Sequence, residues 1–100
     1  MDAGGALWKA TEDTLNSLGK SAKQTLVWQL GRRGFEMAPD NFDINRFALE
    51  LRDLLGEGTE PLLGLVHRNL CKHLKVDPAL DSELPALDRI NKILEAKKMK

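Results

Sequence analysis

Gly19-Lys-Ser-Ala-Lys-Gln-Thr-Leu-Val-Trp-Gln-Leu-Gly-Arg-Arg-Gly34 is the stretch on which the reading of the fold turns. Leu18, Ala22, Leu26 and Leu30 recur four residues apart, which keeps them on one slowly drifting face of a helix. Val27 and Trp28 point away from that seam. A helix that is apolar on more than one side is usually enclosed by other elements. The expectation is therefore a small helical domain with this helix at its centre. Its end is marked by Gly34, suited to a left-handed cap, and by Arg32 and Arg33, cations placed where the helix dipole favours them.

Upstream, Leu7, Thr11, Leu15 and Leu18 recur at helical spacing, and Gly19 predicts a kink or short turn between the first helix and the second. Downstream, Pro39 disfavours helix at Ala38, so residues 35–42 read as a connector pinned by Phe35, Met37 and Phe42. Asp43 predicts an N-cap for a third helix whose stripe is Ile44, Phe47, Ala48, Leu51, Leu54 and Leu55. Its outer face is expected to carry Arg46, Glu50, Arg52 and Asp53. Gly56-Glu-Gly58 ends it. Thr59 predicts the cap of a fourth helix, with Glu60 and Pro61 in the first turn and a seam of Leu62, Leu63, Val66, Leu70 and Leu74. After a loop over 77–82, a last helix is expected from about Ser82, with Leu84, Leu87, Ile90, Ile93 and Leu94 inward and an Asp88–Lys92 pair outward. The reading is one all-α domain over 1–100, a compact bundle of about five short helices with frayed ends at 1–4 and 97–100.

Composition narrows the function. Lysine plus arginine equals aspartate plus glutamate at 15 each, so no global field draws the chain to nucleic acid or to a membrane surface. No apolar run nears the roughly 18 residues of a bilayer span. The N-terminus lacks the basic region of a secretory signal. The single Cys71 excludes an internal disulfide. A cytoplasmic setting follows as the expectation.

The chemical motifs are incomplete. Leu18-Gly-Lys-Ser21 looks like the tail of a phosphate-binding loop, but the cradle needs a glycine where Thr14 stands. His67 and Cys71 share a helix side, while His73 lies roughly 200° from Cys71. Two ligands fall short of the four of a structural zinc site, so no metal or cofactor is expected. No nucleophile elbow and no zinc-protease motif is present, and no enzyme is expected.

Two kinds of surface remain. Arg68, Lys72 and Lys75 form a basic stripe on the fourth helix, suited to phosphates or to a helix-turn-helix reading of DNA. Trp8, Trp28, Leu49, Leu65 and Ile93 fall off the apolar seams and suggest a second core layer or a partner surface. The expected contact residues for a protein partner or a homodimer are Trp8, Trp28, Leu87 and Leu94.

Leu18-Gly-Lys-Ser-Ala-Lys-Gln-Thr-Leu, the third-helix pattern, Leu55-Gly-Glu-Gly-Thr-Glu-Pro-Leu-Leu and the Leu70-Cys-Lys-His-Leu end together resemble an archaeal family, the Nitrosopumilus output domain, type five. The likeness covers about residues 15–76 and rests on glycines and apolar positions. It implies a signal-output or adaptor role with no catalytic residues to carry over. The leading expectation is thus a non-catalytic interaction module that self-associates. The alternative is a small DNA-binding regulator using Arg68, Lys72 and Lys75.

Overall fold

The computed structural model describes residues 2–40 and 42–98. In chain order they form α1 (Ala3–Ser17), α2 (Lys20–Arg32), α3 (Ile44–Leu55), a 3-10 turn (Gly56–Gly58), α4 (Thr59–Leu74) and α5 (Ala86–Lys98). No strand occurs among the described residues, and the all-α reading is borne out.

The centre is α4, not α2. It packs along α1 and also against α3 and α5. Leu62, Leu63, Val66, His67, Leu70 and Cys71 are all buried along it. α1 turns Ala6, Ala10, Thr11 and Thr14 inward, small side chains that leave room for a neighbouring helix. Burying a hydroxyl requires a partner. Thr11 donates to the Leu7 carbonyl at 2.9 Å and Thr14 to that of Ala10 at 2.8 Å. The Asn69 amide of α4 in turn donates to Thr14 Oγ1 at 2.9 Å, and His73 meets Asp13 at 2.9 Å. These two contacts fix α4 lengthwise on α1.

α2 lies at the edge of the bundle. Only Leu26 and Leu30 are buried on it, and Ala22 and Leu18 are exposed. The expectation of a central helix fails for a physical reason. Apolar faces on two sides can be enclosed by neighbours or left open, and periodicity does not distinguish the cases. The end of α2 follows the expectation. Gly34 has a φ of 85°, and the Phe35 N–H reaches back to the Leu30 carbonyl at 2.9 Å, closing a left-handed cap. Phe35 is thereby delivered into an aromatic cluster. Its ring lies 5.9 Å from Phe47 and 6.1 Å from Phe42, and Trp8 stands edge-on to Phe42 at 5.5 Å.

Other local expectations divide. Asp43 caps α3, accepting from the N–H groups of Asn45 and Arg46. Residues 3 and 4 are helical rather than frayed, because Asp2 caps α1 by accepting from the Gly5 N–H at 2.6 Å. Residues 97 and 98 belong to α5, while 99 and 100 lie outside the described residues. Thr59 does not cap α4. The 3-10 turn runs directly into the helix, so Thr59 sits inside it, 2% exposed, with Oγ1 lacking a hydrogen-bond partner. α5 begins at Ala86, not near Ser82. Pro85 disfavours helix at Leu84, and Glu60 Oε2 accepts the Ala86 N–H at 2.8 Å. Lys92 pairs with Asp81 at 3.2 Å, across the preceding turn, instead of with Asp88.

Glu50 is the largest departure on α3. Expected on the outer face, it is buried and receives Arg33 Nε on one oxygen and Arg46 Nε, at 3.4 Å, on the other. Arg33 also reaches Asp53, so the end of α2 is tied to α3 by charge. The Arg33 hydrogen bond holds the Glu50 carboxyl below its ordinary value of 4.5, against the opposing effect of burial, and Arg46 adds to it. A depressed folded-state pKa contributes stability that is complete above the unfolded value and lost as pH falls through the folded one. Denaturant midpoints should therefore fall below pH 4.5 more steeply in the wild type than in Glu50→Gln. Parallel acid limbs in the two proteins would refute the clamp.

Candidate functional site

An open groove runs between α2 and the corner where α3 passes through the 3-10 turn into α4. It encloses about 780 Å³. One wall is Leu18, at the C-cap of α1, with Ala22 and Leu26 of α2. The other is built from Leu54, Leu55, Pro61, Leu62 and Leu65. Leu18, Leu55 and Leu65 are 39%, 42% and 40% exposed. The seam read from the sequence is thus real, but its N-terminal half faces this groove and not a neighbouring helix. Helix ends explain the opening. Gly19 turns the chain at one wall and Gly56 at the other, with φ of 97° and 56°, so Leu18 and Leu55 are the last side chains before each helix gives out.

The contact residues expected from sequence separate in space. Trp28 is 59% exposed on α2, with the Arg32 guanidinium 5.0 Å from its ring centroid, a stacked cation–π pair. Trp8, Leu87 and Leu94 are half-buried, Trp8 against Phe42 and both leucines against the main core, so they belong to the fold's own packing. Leu94 also borders a more polar cleft of about 940 Å³, which the Asn45 and Asn91 amides bridge at 2.8 Å. Leu65 was visible in the sequence as a residue off its seam. Leu18 and Leu55 were hidden, because each continued an apolar stripe; the adjoining glycine was the available signal.

Arg68, Lys72 and Lys75 are exposed. Arg68 and Lys72 follow Leu65 by three and seven residues, on the same side of α4. Lys75 stands at the left-handed end of that helix, at a φ of 57°. The stripe therefore continues one lip of the groove.

His67 and Cys71 are buried together, Nε2 and Sγ 3.5 Å apart. Burial holds the His67 imidazole below its ordinary pKa, with Arg89 and Arg68 adding repulsion, and burial raises the Cys71 thiol. A neutral imidazole beside a protonated thiol is an inert pair. Among the described residues no three histidine, cysteine or acidic side chains gather as a metal set, and no helix is long and apolar enough to cross a membrane. No family model, curated protein or solved structure matches the chain.

Proposed function

We propose that the chain is a non-catalytic helical interaction module that acts through protein–protein contacts at the α2–α4 groove. The observation that carries this reading is the grouping of Leu18, Leu55 and Leu65, three exposed leucines lining one concavity. Single exposed leucines, such as Leu49 and Leu80, are ordinary on a protein surface; a contiguous set marks a place where another molecule sits. The buried titratable groups support the non-catalytic part. Glu50 is neutralised by two arginines, and His67 packs on Cys71. A signal-output role in a cytoplasmic setting, implied by the likeness of residues 15–76 to the output-domain family, is the context proposed for it.

Site-specific photocrosslinking in the cells that make the protein tests this reading. With a benzophenone side chain replacing Leu65 or Leu55, protein adducts are expected. With the same group replacing Leu49 or Leu80, more exposed still but outside the groove, they are not. Absence of adducts at Leu65 and Leu55, or equal adducts at all four positions, would refute the assignment.

A further inference from the structure

We infer that the outer face of α2 is a binding site for single-stranded nucleic acid. It lies on the other side of that helix from the groove and shares no side chain with it. Lys20, Gln24, Trp28 and Arg32 follow one another four residues apart, and all are exposed. A cation, an amide, an indole and a second cation therefore form one row along the helix. The row spans about 18 Å at the rise of an α-helix. Beside its N-terminal part lies an open cavity of about 670 Å³, lined by Asn16 of α1 and by Lys20, Lys23, Gln24, Val27 and Trp28 of α2. Arg32 stands over the Trp28 ring from one turn further on, 5.0 Å from its centroid, while the residues that share the cavity with Trp28 all precede it. One side of the indole is thus backed by a cation, and the other opens into the cavity, where a planar ring can stack on it.

The charge of this face has one sign. From Thr14 to Phe35 the chain carries four cations and no carboxylate, although the whole is neutral. Arg33 is occupied by Glu50 and Asp53, but among the described residues Lys20, Lys23 and Arg32 form no ion pair. Lys23 donates one of its three N–H groups to the Asn16 side-chain oxygen at 2.7 Å, which leaves two for an anion. Glu12 and Asp13, earlier on α1, do not line the cavity, and Asp13 is paired with His73. Cations beside an exposed aromatic face are what a single strand requires. Its phosphates meet the ammonium and guanidinium groups, and a base of any identity stacks on the ring. A duplex keeps its bases within the stack, so it would engage the cations and not the indole. A membrane-binding helix presents a broad apolar face. Here Trp28 and the half-buried Val27 are the large apolar groups, with Ser21, Gln24 and Gly31 exposed around them. A run of acidic residues would meet the cations and leave the indole unused.

The test is fluorescence anisotropy with labelled oligothymidylate and oligouridylate of about 12 nucleotides, a length within the range of single-strand sites. If Lys20, Lys23 and Arg32 each neutralise a phosphate, affinity should fall roughly 20-fold between 50 and 200 mM salt, a log–log slope of about −2. Trp28→Ala should weaken binding by about fivefold or more. The oligomer should quench tryptophan emission in the wild type and leave it unchanged in Trp28→Phe, where Trp8 is the remaining indole. Lys20→Gln/Lys23→Gln should flatten the salt slope to about −0.7, a change that a purely structural role would not produce. Urea midpoints of these variants should stay near that of the wild type, because the substituted side chains lie at the surface. No binding of either oligomer at the lower salt, binding indifferent to Trp28→Ala, or a slope unchanged in the lysine double variant would overturn the proposal. Tighter binding of duplex DNA, of phosphatidylglycerol vesicles or of polyglutamate would overturn it too, by naming another anion as the ligand. So would thymidine or uridine monophosphate binding as tightly as the oligomers, since the site would then hold a free nucleotide and not a strand. Crosslinking at Leu65 and Leu55 is independent of all these outcomes, because the groove lies on the other side of α2.

Discussion

Phe47→Ala should cost the domain about 3–5 kcal/mol, the range for removing a phenyl ring from a closed core. Phe47 is fully buried, and two further rings lean on it, Phe35 at 5.9 Å and Phe42 at 5.4 Å. The loss has two parts: the apolar area returned to water on unfolding, and the cavity left where three elements converge. Phe35 comes from the cap of α2, Phe42 from the connector and Phe47 from α3, so no single helix can close the gap by sliding. Domains of this size are stable by roughly 5–15 kcal/mol in total, and a loss this large consumes much of it. The thermal midpoint should fall by on the order of 15–30 °C. Urea titration of both proteins would measure it directly. A change below about 1 kcal/mol would mean that the aromatic cluster is not part of the cooperative core.

Gly19→Ala should destabilise the fold by about 1–3 kcal/mol, although a methyl group there meets no atom within 4 Å. The cost is conformational. Gly19 holds φ 97° and ψ 155°, a region that only glycine enters freely. Gly31→Ala is the internal control. Gly31 also has open space around its missing side chain, but it lies within α2 and has no positive φ. There, the added methyl should stabilise by about 0.4–1 kcal/mol through helix propensity and a less flexible unfolded chain. The two substitutions are chemically identical and should move the midpoint of urea unfolding in opposite directions. Changes of the same sign would show that the α1–α2 corner is not held at this glycine. The corner also bears on the groove, because it directs α2 away from the bundle and leaves the Leu18–Leu26 wall open.

The helices themselves were legible because their signals are local. Asp43 before an apolar stripe and Gly34 after one are satisfied by hydrogen bonds within a few residues, and both do what the sequence predicts. The misread boundaries come from contacts or constraints outside the pattern used. α5 starts at Ala86 because Pro85 bars an earlier turn and because Glu60, on another helix, accepts the first free N–H. Glu50 looked like a surface acid because its two arginine partners lie one turn before it and on the end of a different helix. The groove was illegible for a related reason. Leu18, Ala22 and Leu26 have the spacing of a buried seam, and the same spacing serves a seam left facing an open groove.

The amino-acid sequence by itself determined the all-α class, the positions of most helices and the apolar stripe each one carries, since periodicity, caps and breakers act over a turn or two of chain. Only the tertiary structure decided which helix is central. It placed α4 in the middle and α2 at the rim, and left only the N-terminal half of the α2 seam facing an open groove. Those outcomes depend on which faces meet, and the choice is set by the packing of α1 on α4 and the turn at Gly19, not by any residue of α2 alone.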